Sequence, residues 1–217
     1  MHLLLASRNQ GKILEITRLL QTLDQNLQVL GLDSFPAIGD IPETGASFEE
    51  NALIKAKAAA EGTGLISLAD DSGLEVDALS GAPGIHSARY SGEGASDRAN
   101  NDKLLEAMRG LPEARRTARF RCVMAVYAPN GEHFLAQGTW EGSIAERPRG
   151  SHGFGYDPLF LDPETGLTAA EMDQASKNAR SHRGRALRDL LDKLPAFLAG
   201  RGKAQPAASN QSSEGKG

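Results

Sequence analysis

The stretch from Arg119 to Thr139 constrains the fold more than any other. Phe120, Cys122, Met124 and Val126 alternate with Arg119, Arg121, Val123 and Ala125, and Pro129-Asn130-Gly131 leads into a second extended run, His133 to Thr139. A period of two marks a strand that buries one face, and an Asn-Gly pair between two such runs is a hairpin signal. A long hairpin in mid-chain needs other elements to cover it, and the flanking sequence supplies them. His2 to Ala6 is an apolar run of strand length, and Gly11 to Leu23 carries Ile13, Ile16, Leu19, Leu20 and Leu23 at helical spacing. Leu27 to Leu30 and Leu65 to Ala69 predict further strands. Ser47 with Glu50 three residues on forms a capping box for an alanine-rich helix that ends near Gly62. Asp97 to Met108 and Ser181 to Leu194 predict later helices, the second stopped by Pro195. Between them Gly81 to Gly94 is glycine-rich and irregular. Early alternation of strand and helix followed by a hairpin predicts a mixed α/β fold, an elongated central sheet flanked by helices.

Composition narrows the class. The 217 residues are 40% hydrophobic and 24% charged, with a formal net charge of -4. That balance supports a real core and gives no global attraction for nucleic acid or an anionic membrane. No apolar stretch approaches the roughly 20 residues of a membrane span, and no basic leader precedes the first apolar run. The single cysteine, Cys122, excludes an internal disulfide framework and sits on the alternating face, where a packing role is expected. The expectation is a cytoplasmic protein with one domain over residues 1–199 and a disordered tail over 200–217, where the sequence turns to Gly, Ser, Ala, Gln and Lys.

Three segments carry chemistry. Ser7-Arg8-Asn9-Gln10-Gly11-Lys12 joins the first strand to the first helix. Ligands of open α/β sheets bind beyond the carboxyl ends of strands, and a helix start offers free N–H groups to an anion. A hydroxyl, an amide and a lysine there make a polyphosphate cradle, although the spacing of a Walker loop is absent. A plain helix start with solvated Arg8 and Lys12 would read the same way. Asp70 and Asp71 end an apolar strand before Ser72-Gly73, which reads as a turn. Aspartates so placed suit Mg²⁺, and a carboxylate beside the metal can orient or deprotonate water. Adjacent side chains of extended backbone face opposite ways, so one aspartate is expected to face the site and the other to hold the turn. Glu43, Glu49 and Glu50 are upstream carboxylates; Glu50 is accounted for by the capping box, leaving Glu43 or Glu49. Finally, Gly153-Phe154-Gly155-Tyr156-Asp157-Pro158 flanks two aromatics with glycines in a chain that is only 5% aromatic. An aromatic face there can stack on a purine, or Phe154 can plug the core. Lys177, Ser181, His182 and Arg183 gather cationic and donor groups around the last helix start.

Together these segments resemble the inosine triphosphate pyrophosphatase family, the Ham1-like proteins that hydrolyse non-canonical purine nucleoside triphosphates. The resemblance runs from Leu3 to Leu194. It rests on S-R-N-x-G-K at 7–12, F-E-E-N-A at 48–52, A-D-D-S-G-L at 69–74, G-A-P-G-I-H-S-A-R-Y-S-G at 81–92, G-F-G-Y-D-P at 153–158 and S-H-R at 181–183. Each is weak alone, and their joint order is specific. The resemblance implies two lobes with the active-site cleft between them, a homodimer, and Mg²⁺-dependent attack of water at the α-phosphorus of ITP, dITP or XTP. By motif position, Ser7, Asn9 and Lys12 would hold the phosphates, within a cradle that includes Arg8, Gln10 and Gly11. Asp71 would be metal ligand and proton acceptor, with Ser72 beside the substrate. Phe154, Gly155, Tyr156 and Asp157 would line the nucleoside pocket, completed by Lys177, His182 and Arg183. Two positions depart from the family pattern. Ser7-Arg8-Asn9 replaces the usual Thr-Gly-Asn, and Pro42 stands where many members place a metal-binding glutamate, leaving Glu43 as the candidate second ligand. Donors such as His182 and Arg183 would favour the 6-oxo group of hypoxanthine or xanthine over the 6-amino group of adenine. The competing readings are a Maf-like pyrophosphatase acting on other bases and a nucleotide-binding regulator without turnover.

Overall fold

The computed structural model describes residues 2–8, 10–21 and 25–199; the segment read above as a tail, 200–217, lies outside the described residues. The chain runs β1 (His2–Leu5), α1 (Gln10–Leu20), β2 (Gln28–Gly31), α2 (Phe48–Thr63), β3 (Ile66–Val76), α3 (Asp97–Ala107), β4 (Thr117–Tyr127), β5 (His133–Ile144), β6 (Phe160–Leu161), α4 (Gln174–Arg180) and α5 (His182–Ala199). Six strands form one mixed sheet in the order β2-β1-β3-β4-β5-β6. β2, β1 and β3 are parallel, and β4, β5 and β6 follow antiparallel. The mixed α/β architecture is therefore as the alternation and the hairpin predict.

Period-two patterning builds two apolar cores along one face of the long strands. Cys122, Met124 and Val126 of β4 pack with Leu3, Leu5, Ile16 and Leu20 and with Ala186, Leu187 and Leu190 of α5. Further along the same strand, Ala118 and Phe120 join Leu104, Met108, Trp140, Tyr156 and Phe160. The opposite face buries Val123 and Ala125 beneath Phe48, Ala52 and Ala56 of α2. Cys122 is fully buried, as its place in the alternation requires. Trp140 is also buried and donates its indole N–H to Asp162 Oδ1 at 3.0 Å, so its polar edge is satisfied.

Three boundaries differ from the sequence reading because tertiary packing outweighs local preference, and one further helix appears. β3 does not end at Ala69: it continues through Asp70-Asp71-Ser72-Gly73 to Val76, held in register by β4 (Asp71 opposite Val123, Ser72 opposite Cys122). The expected turn at Ser72-Gly73 is thus mid-strand. β5 extends past Thr139 to Ile144, paired with β4 as far as Ser143 and with β6 at Ser143 and Ile144. Pro195 lies inside α5 rather than ending it. Proline removes a helix hydrogen bond, but Phe197 and Leu198 beyond it pack on the same core as Leu194, and Phe197 meets the edge of the Phe134 ring at 4.9 Å. Last, α4 is a separate short helix capped by Asp173, whose Oδ1 accepts from Ser176 N at 2.8 Å.

Candidate functional site

The length mismatch between β1 and β3 opens the site. β1 pairs with β3 only from Ile66 to Leu68, whereas β4 follows β3 to Val76. Past Leu68, β3 has no strand beside it on the β1 side among the described residues. From Leu74 on, that side is taken by the 82–87 segment, with Leu74 N donating to Ser87 Oγ at 2.9 Å and Val76 N to Ala82 O at 3.2 Å. A cleft of about 640 Å³ is lined by Asp70, Asp71, Ser72 and Gly73. Residues from both faces of β3 reach it, so Asp70 and Asp71 both line the cleft. The expectation that one aspartate faces the site while the other holds a turn is corrected: the strand runs on through both, and both line the cleft.

At one end the cleft is acidic. Asp71 is nearly buried, and its Oδ1 accepts from the Ser72 N–H at 3.0 Å and lies 3.6 Å from Lys55 Nζ. Its Oδ2 is buried without a hydrogen-bond partner. Burial raises the Asp71 carboxyl above its ordinary pKa; Lys55 opposes the shift, Glu43 adds to it, and the Asn51 amide opposes it from beyond hydrogen-bond geometry. Glu43 Oε1 accepts from the same Lys55 ammonium at 2.6 Å, and its Oε2 lies 3.7 Å from Arg89. Two carboxylates from distant segments therefore converge on one cation. Glu49, the alternative left open by the sequence, is paired instead with Arg121 at 2.7 Å. Burial pushes its pKa up, but its own backbone N–H and Arg121 together leave it lowered. Glu50 reaches back to the Ala46 N–H at 2.7 Å while Ser47 Oγ accepts from Glu50 N at 3.2 Å, which accounts for it as a cap.

Among the described residues no three His, Cys, Asp or Glu side chains converge as a ready-made metal cage. Mg²⁺ does not require one, because it keeps waters and takes phosphate oxygens beside one or two carboxylates. The buried, unpartnered Oδ2 of Asp71 and the neighbouring Glu43 fit that partial shell.

The other end of the cleft is aromatic and cationic. The two aromatics of the 153–158 segment take opposite parts. Phe154 is 59% exposed, whereas Tyr156 is buried in the core with its hydroxyl donating to Ser87 O at 2.8 Å. The core plug is Tyr156, and Phe154 is the ring offered to the cleft. Lys177 Nζ and Arg183 Cζ lie 5.3 and 5.0 Å from the Phe154 ring centroid, within cation–π range. Asp157 is buried, and its Oδ2 accepts from the Phe154 N–H at 2.8 Å and from Lys177 Nζ at 2.5 Å. Arg183 also reaches across the cleft toward Ser72 Oγ, at 3.4 Å, while its Nε is buried without a partner.

His182 sits beneath this end. Its ring stacks on Phe120, with centroids 4.7 Å apart and planes inclined by 15°. Burial, with Arg183 and Lys177 nearby, pushes its pKa down to about 3 against a partial pull from Asp70, so the ring is neutral at pH 7. Its Nδ1 is buried and unpartnered.

The Ser7–Lys12 segment follows β1 at the same end of the sheet: Ala6 N donates to Leu68 O, two residues before Asp70. Ser7 O accepts from Leu32 N at 3.1 Å, and the Arg8 guanidinium is spent on Ile38 O at 2.7 Å. Neither Ser7 nor Arg8 lines the cleft. Asn9 lies outside the described residues, as do the side chains of Gln10 and Lys12; the backbone from Gln10 through Gly11 and Lys12 is the first turn of α1. Sequence reasoning missed Lys55, which sits in an alanine-rich helix as an ordinary solvated lysine would, and Arg89. The signal was available: Asn51 and Lys55 are one helical turn apart, on the face of α2 that carries the fully buried Ala52, Ala56 and Ala59.

Comparison with known proteins identifies the family. The family model described as the Ham1 family matches residues 3–193. A dITP/XTP pyrophosphatase of Nitratidesulfovibrio vulgaris is 55% identical over 91% of this chain and 98% of its own. One from Geobacter sulfurreducens is 53% identical over 88% and 96%. Among solved structures, a HAM1 protein from Coxiella burnetii superposes with a TM-score of 0.85 at 45% identity, covering 90% of this chain and 99% of that one. The Staphylococcus aureus Ham1 protein gives 0.82 at 41%, covering 92% and 99%. Identity at this level along nearly the whole of both partners fixes the assignment: the chain belongs to the Ham1 family.

Proposed function

We propose that this protein hydrolyses non-canonical purine nucleoside triphosphates, ITP, dITP and XTP, to the monophosphate and pyrophosphate. The observation that carries the reading is a single cleft with a buried, half-satisfied carboxylate at one end and an exposed, cation-flanked aromatic at the other. A nucleotide has the complementary polarity, with phosphates at one end and a π-face at the other. Family membership and relatives named dITP/XTP pyrophosphatase support the substrate class.

In this reading Asp71 accepts the proton of the attacking water. Desolvation that raises its pKa makes it a better base than a solvated aspartate, and its buried Oδ2 has no hydrogen-bond partner of its own to compete for that proton. Mg²⁺, held by Asp71 and Glu43 together with phosphate oxygens, would neutralise charge on the polyphosphate and polarise the reacting phosphoryl group. The family pattern assigns the phosphates to Asn9 and Lys12 at the start of α1, where free N–H groups would add to the cradle, with Ser7 leading into them from outside the cleft lining. Phe154 stacks on the base, Ser72 lies beside the substrate, and Lys177, His182 and Arg183 complete the base end. Because His182 is neutral it offers one ring N–H, so Arg183 is the charged donor for a 6-oxo group. The protein works as a homodimer in the cytoplasm; no helix among the described residues is long and apolar enough to cross a membrane.

The deciding experiment supplies ITP, dITP, XTP and the common triphosphates with Mg²⁺ and identifies the products. Monophosphate plus pyrophosphate from the 6-oxo substrates is the expected result. Orthophosphate and a diphosphate as first products would overturn the reading.

A further inference from the structure

The exposed Phe154 sits on a turn whose orientation is set by α3, which shares an apolar core with Tyr156 two residues on. Gly155, the next residue, has a positive φ of 59°, a conformation that leaves its peptide groups turned outward from the chain's own bonds. Both groups are taken up by α3. Asp97 Oδ2 accepts from the Gly155 N–H at 2.7 Å, and Asn101 Nδ2 donates to Gly155 O at 2.9 Å. The two side chains are one helical turn apart, on one face of α3.

Neither bond serves the helix itself. The N-cap of α3 is Ser96, whose Oγ accepts from Ala99 N, so the Asp97 carboxylate is not needed as a cap. Asn101 is a poor helix former placed mid-helix and buried, with its Oδ1 left unpartnered. Its neighbour Asn100 is similarly buried and is spent on Ser91 and Ala88. A buried asparagine that costs helix stability and leaves an acceptor unsatisfied breaks the local rules of the fold, and such breaks gather at functional positions.

We propose that Asp97 and Asn101 are positioning residues that aim Phe154 at the purine. This rests on the reading that Phe154 stacks on the base. Asp157 fixes the turn from the Lys177 side through the Phe154 N–H, and the α3 pair fixes it from the other side through both polar groups of Gly155. Freed of the α3 pair, the turn can rotate about its glycines and the ring loses its fixed plane.

The test compares kcat/KM on ITP with kcat/KM on ribose 5-triphosphate, which keeps the phosphates and sugar but has no base. Phe154→Ala should lower the ratio of the two by about fivefold or more, the scale of one base–aromatic stack. Asp97→Ala and Asn101→Leu should lower the same ratio, and Asp97→Asn, which keeps an acceptor oxygen, should recover most of the loss. In the Phe154→Ala background Asp97→Ala should lower the ratio no further, because residues acting through one group are not additive. A purely structural role would instead depress both substrates equally, and that outcome overturns the proposal, as does full additivity in the double variant. An unchanged ratio in Asp97→Ala and Asn101→Leu alongside a reduced one in Phe154→Ala defeats the clamp while sparing the stacking. An unchanged ratio in Phe154→Ala itself defeats the stacking and the clamp with it. Should Asn101→Leu not fold, the Asp97→Ala and Asp97→Asn pair decides alone.

Discussion

His182 and Phe120 lie face to face, ring centroids 4.7 Å apart, at the waist where the two apolar cores of the sheet meet. Phe120 belongs to one core, and Cys122, the next residue on the same face of β4, belongs to the other. The imidazole therefore fills a structural position and lines the cleft at once, and its protonation bears on stability.

Burial and two nearby cations depress the His182 pKa to about 3, against about 6.5 in an unfolded chain. The unfolded state binds the extra proton, so this contribution to stability is full above pH 6.5 and is lost as pH falls toward 3. The expected slope from this group is at most about 1.4 kcal/mol per pH unit. Asp71, whose pKa is raised, acts in the opposite sense near its own range, while Asp162 and Glu49, whose pKa values are lowered, add acid sensitivity at lower pH. Chemical denaturation at pH 7.0, 6.0 and 5.0 should show falling stability in the parent and a flatter profile in His182→Phe. Parallel profiles would mean the imidazole is solvated or charged in the folded state.

Asp71→Asn keeps the size of the side chain and one acceptor oxygen but removes the basicity. It should lower kcat by roughly 10²-fold or more, the scale of general base catalysis. Glu43→Gln should do less, because the amide keeps an oxygen toward the cleft while Asp71, the proton acceptor, and its Lys55 partner stay in place. Steady-state rates across a Mg²⁺ titration separate the two. Equal losses restored by excess metal at both positions would show a different ligand set.

Several of these features were legible in the sequence for identifiable reasons. The Ser47–Glu50 cap is local chemistry, and the 120–139 hairpin is a strict period of two around Pro-Asn-Gly, so neither depends on the rest of the fold. The continuation of β3 through Asp70 and Asp71 was hidden because aspartate is a poor strand former; only ten residues of β4 in register keep it extended. α4 was hidden because seven residues, QASKNAR, carry no apolar face. The division of labour between Phe154 and Tyr156 was likewise beyond reach, since two aromatics one glycine apart look equivalent until Ser87 O is seen to accept the tyrosine hydroxyl. The lysine between Glu43 and Asp71 needed three segments brought together, which no single window displays.

Base selection should reside in Arg183. It contacts the Phe154 ring face and approaches Ser72, with a buried Nε still unpartnered. Arg183→Ala should reduce kcat/KM for ITP by roughly 10- to 150-fold, the worth of one charge-assisted hydrogen bond of about 1.5–3 kcal/mol, and barely change the rate on ATP. Lys12→Ala should depress both substrates by a similar factor, because every triphosphate shares the phosphates. Equal losses on ITP and ATP in Arg183→Ala would move Arg183 from the base to the phosphates or the fold.

Assembly can be checked directly. A homodimer should scatter light at twice the mass of the 23.0 kDa chain at micromolar concentration. A stable single-chain mass would remove the dimer from this account and leave the cleft chemistry untouched.

The sharpest structural prediction concerns Gly138, in the middle of β5 where a side chain would ordinarily favour the strand. A Cβ built there would lie 2.1 Å from His182 O, 2.4 Å from Ala186 N and 2.8 Å from Arg185 Cβ. The first two are backbone atoms of α5, so no side chain can swing aside to make room. The absence of a side chain at 138 is what lets the first turn of α5 settle on the sheet and carries His182 and Arg183 to the base end of the cleft. Gly138→Ala should therefore force α5 outward. Overpacking of this kind costs about 1–3 kcal/mol, and the strand preference for alanine over glycine returns only a fraction of it. Thermal unfolding should show the loss as a lower Tm, and the displaced Arg183 should reduce kcat/KM on ITP more than on ribose 5-triphosphate. Gly131→Ala is the control for substitution at a glycine far from α5: it sits at the hairpin tip with a φ of 92°, so it should lower Tm through backbone strain while leaving the substrate ratio alone. A Gly138→Ala protein with parental Tm and parental substrate ratio would show that α5 does not depend on this contact to place the arginine.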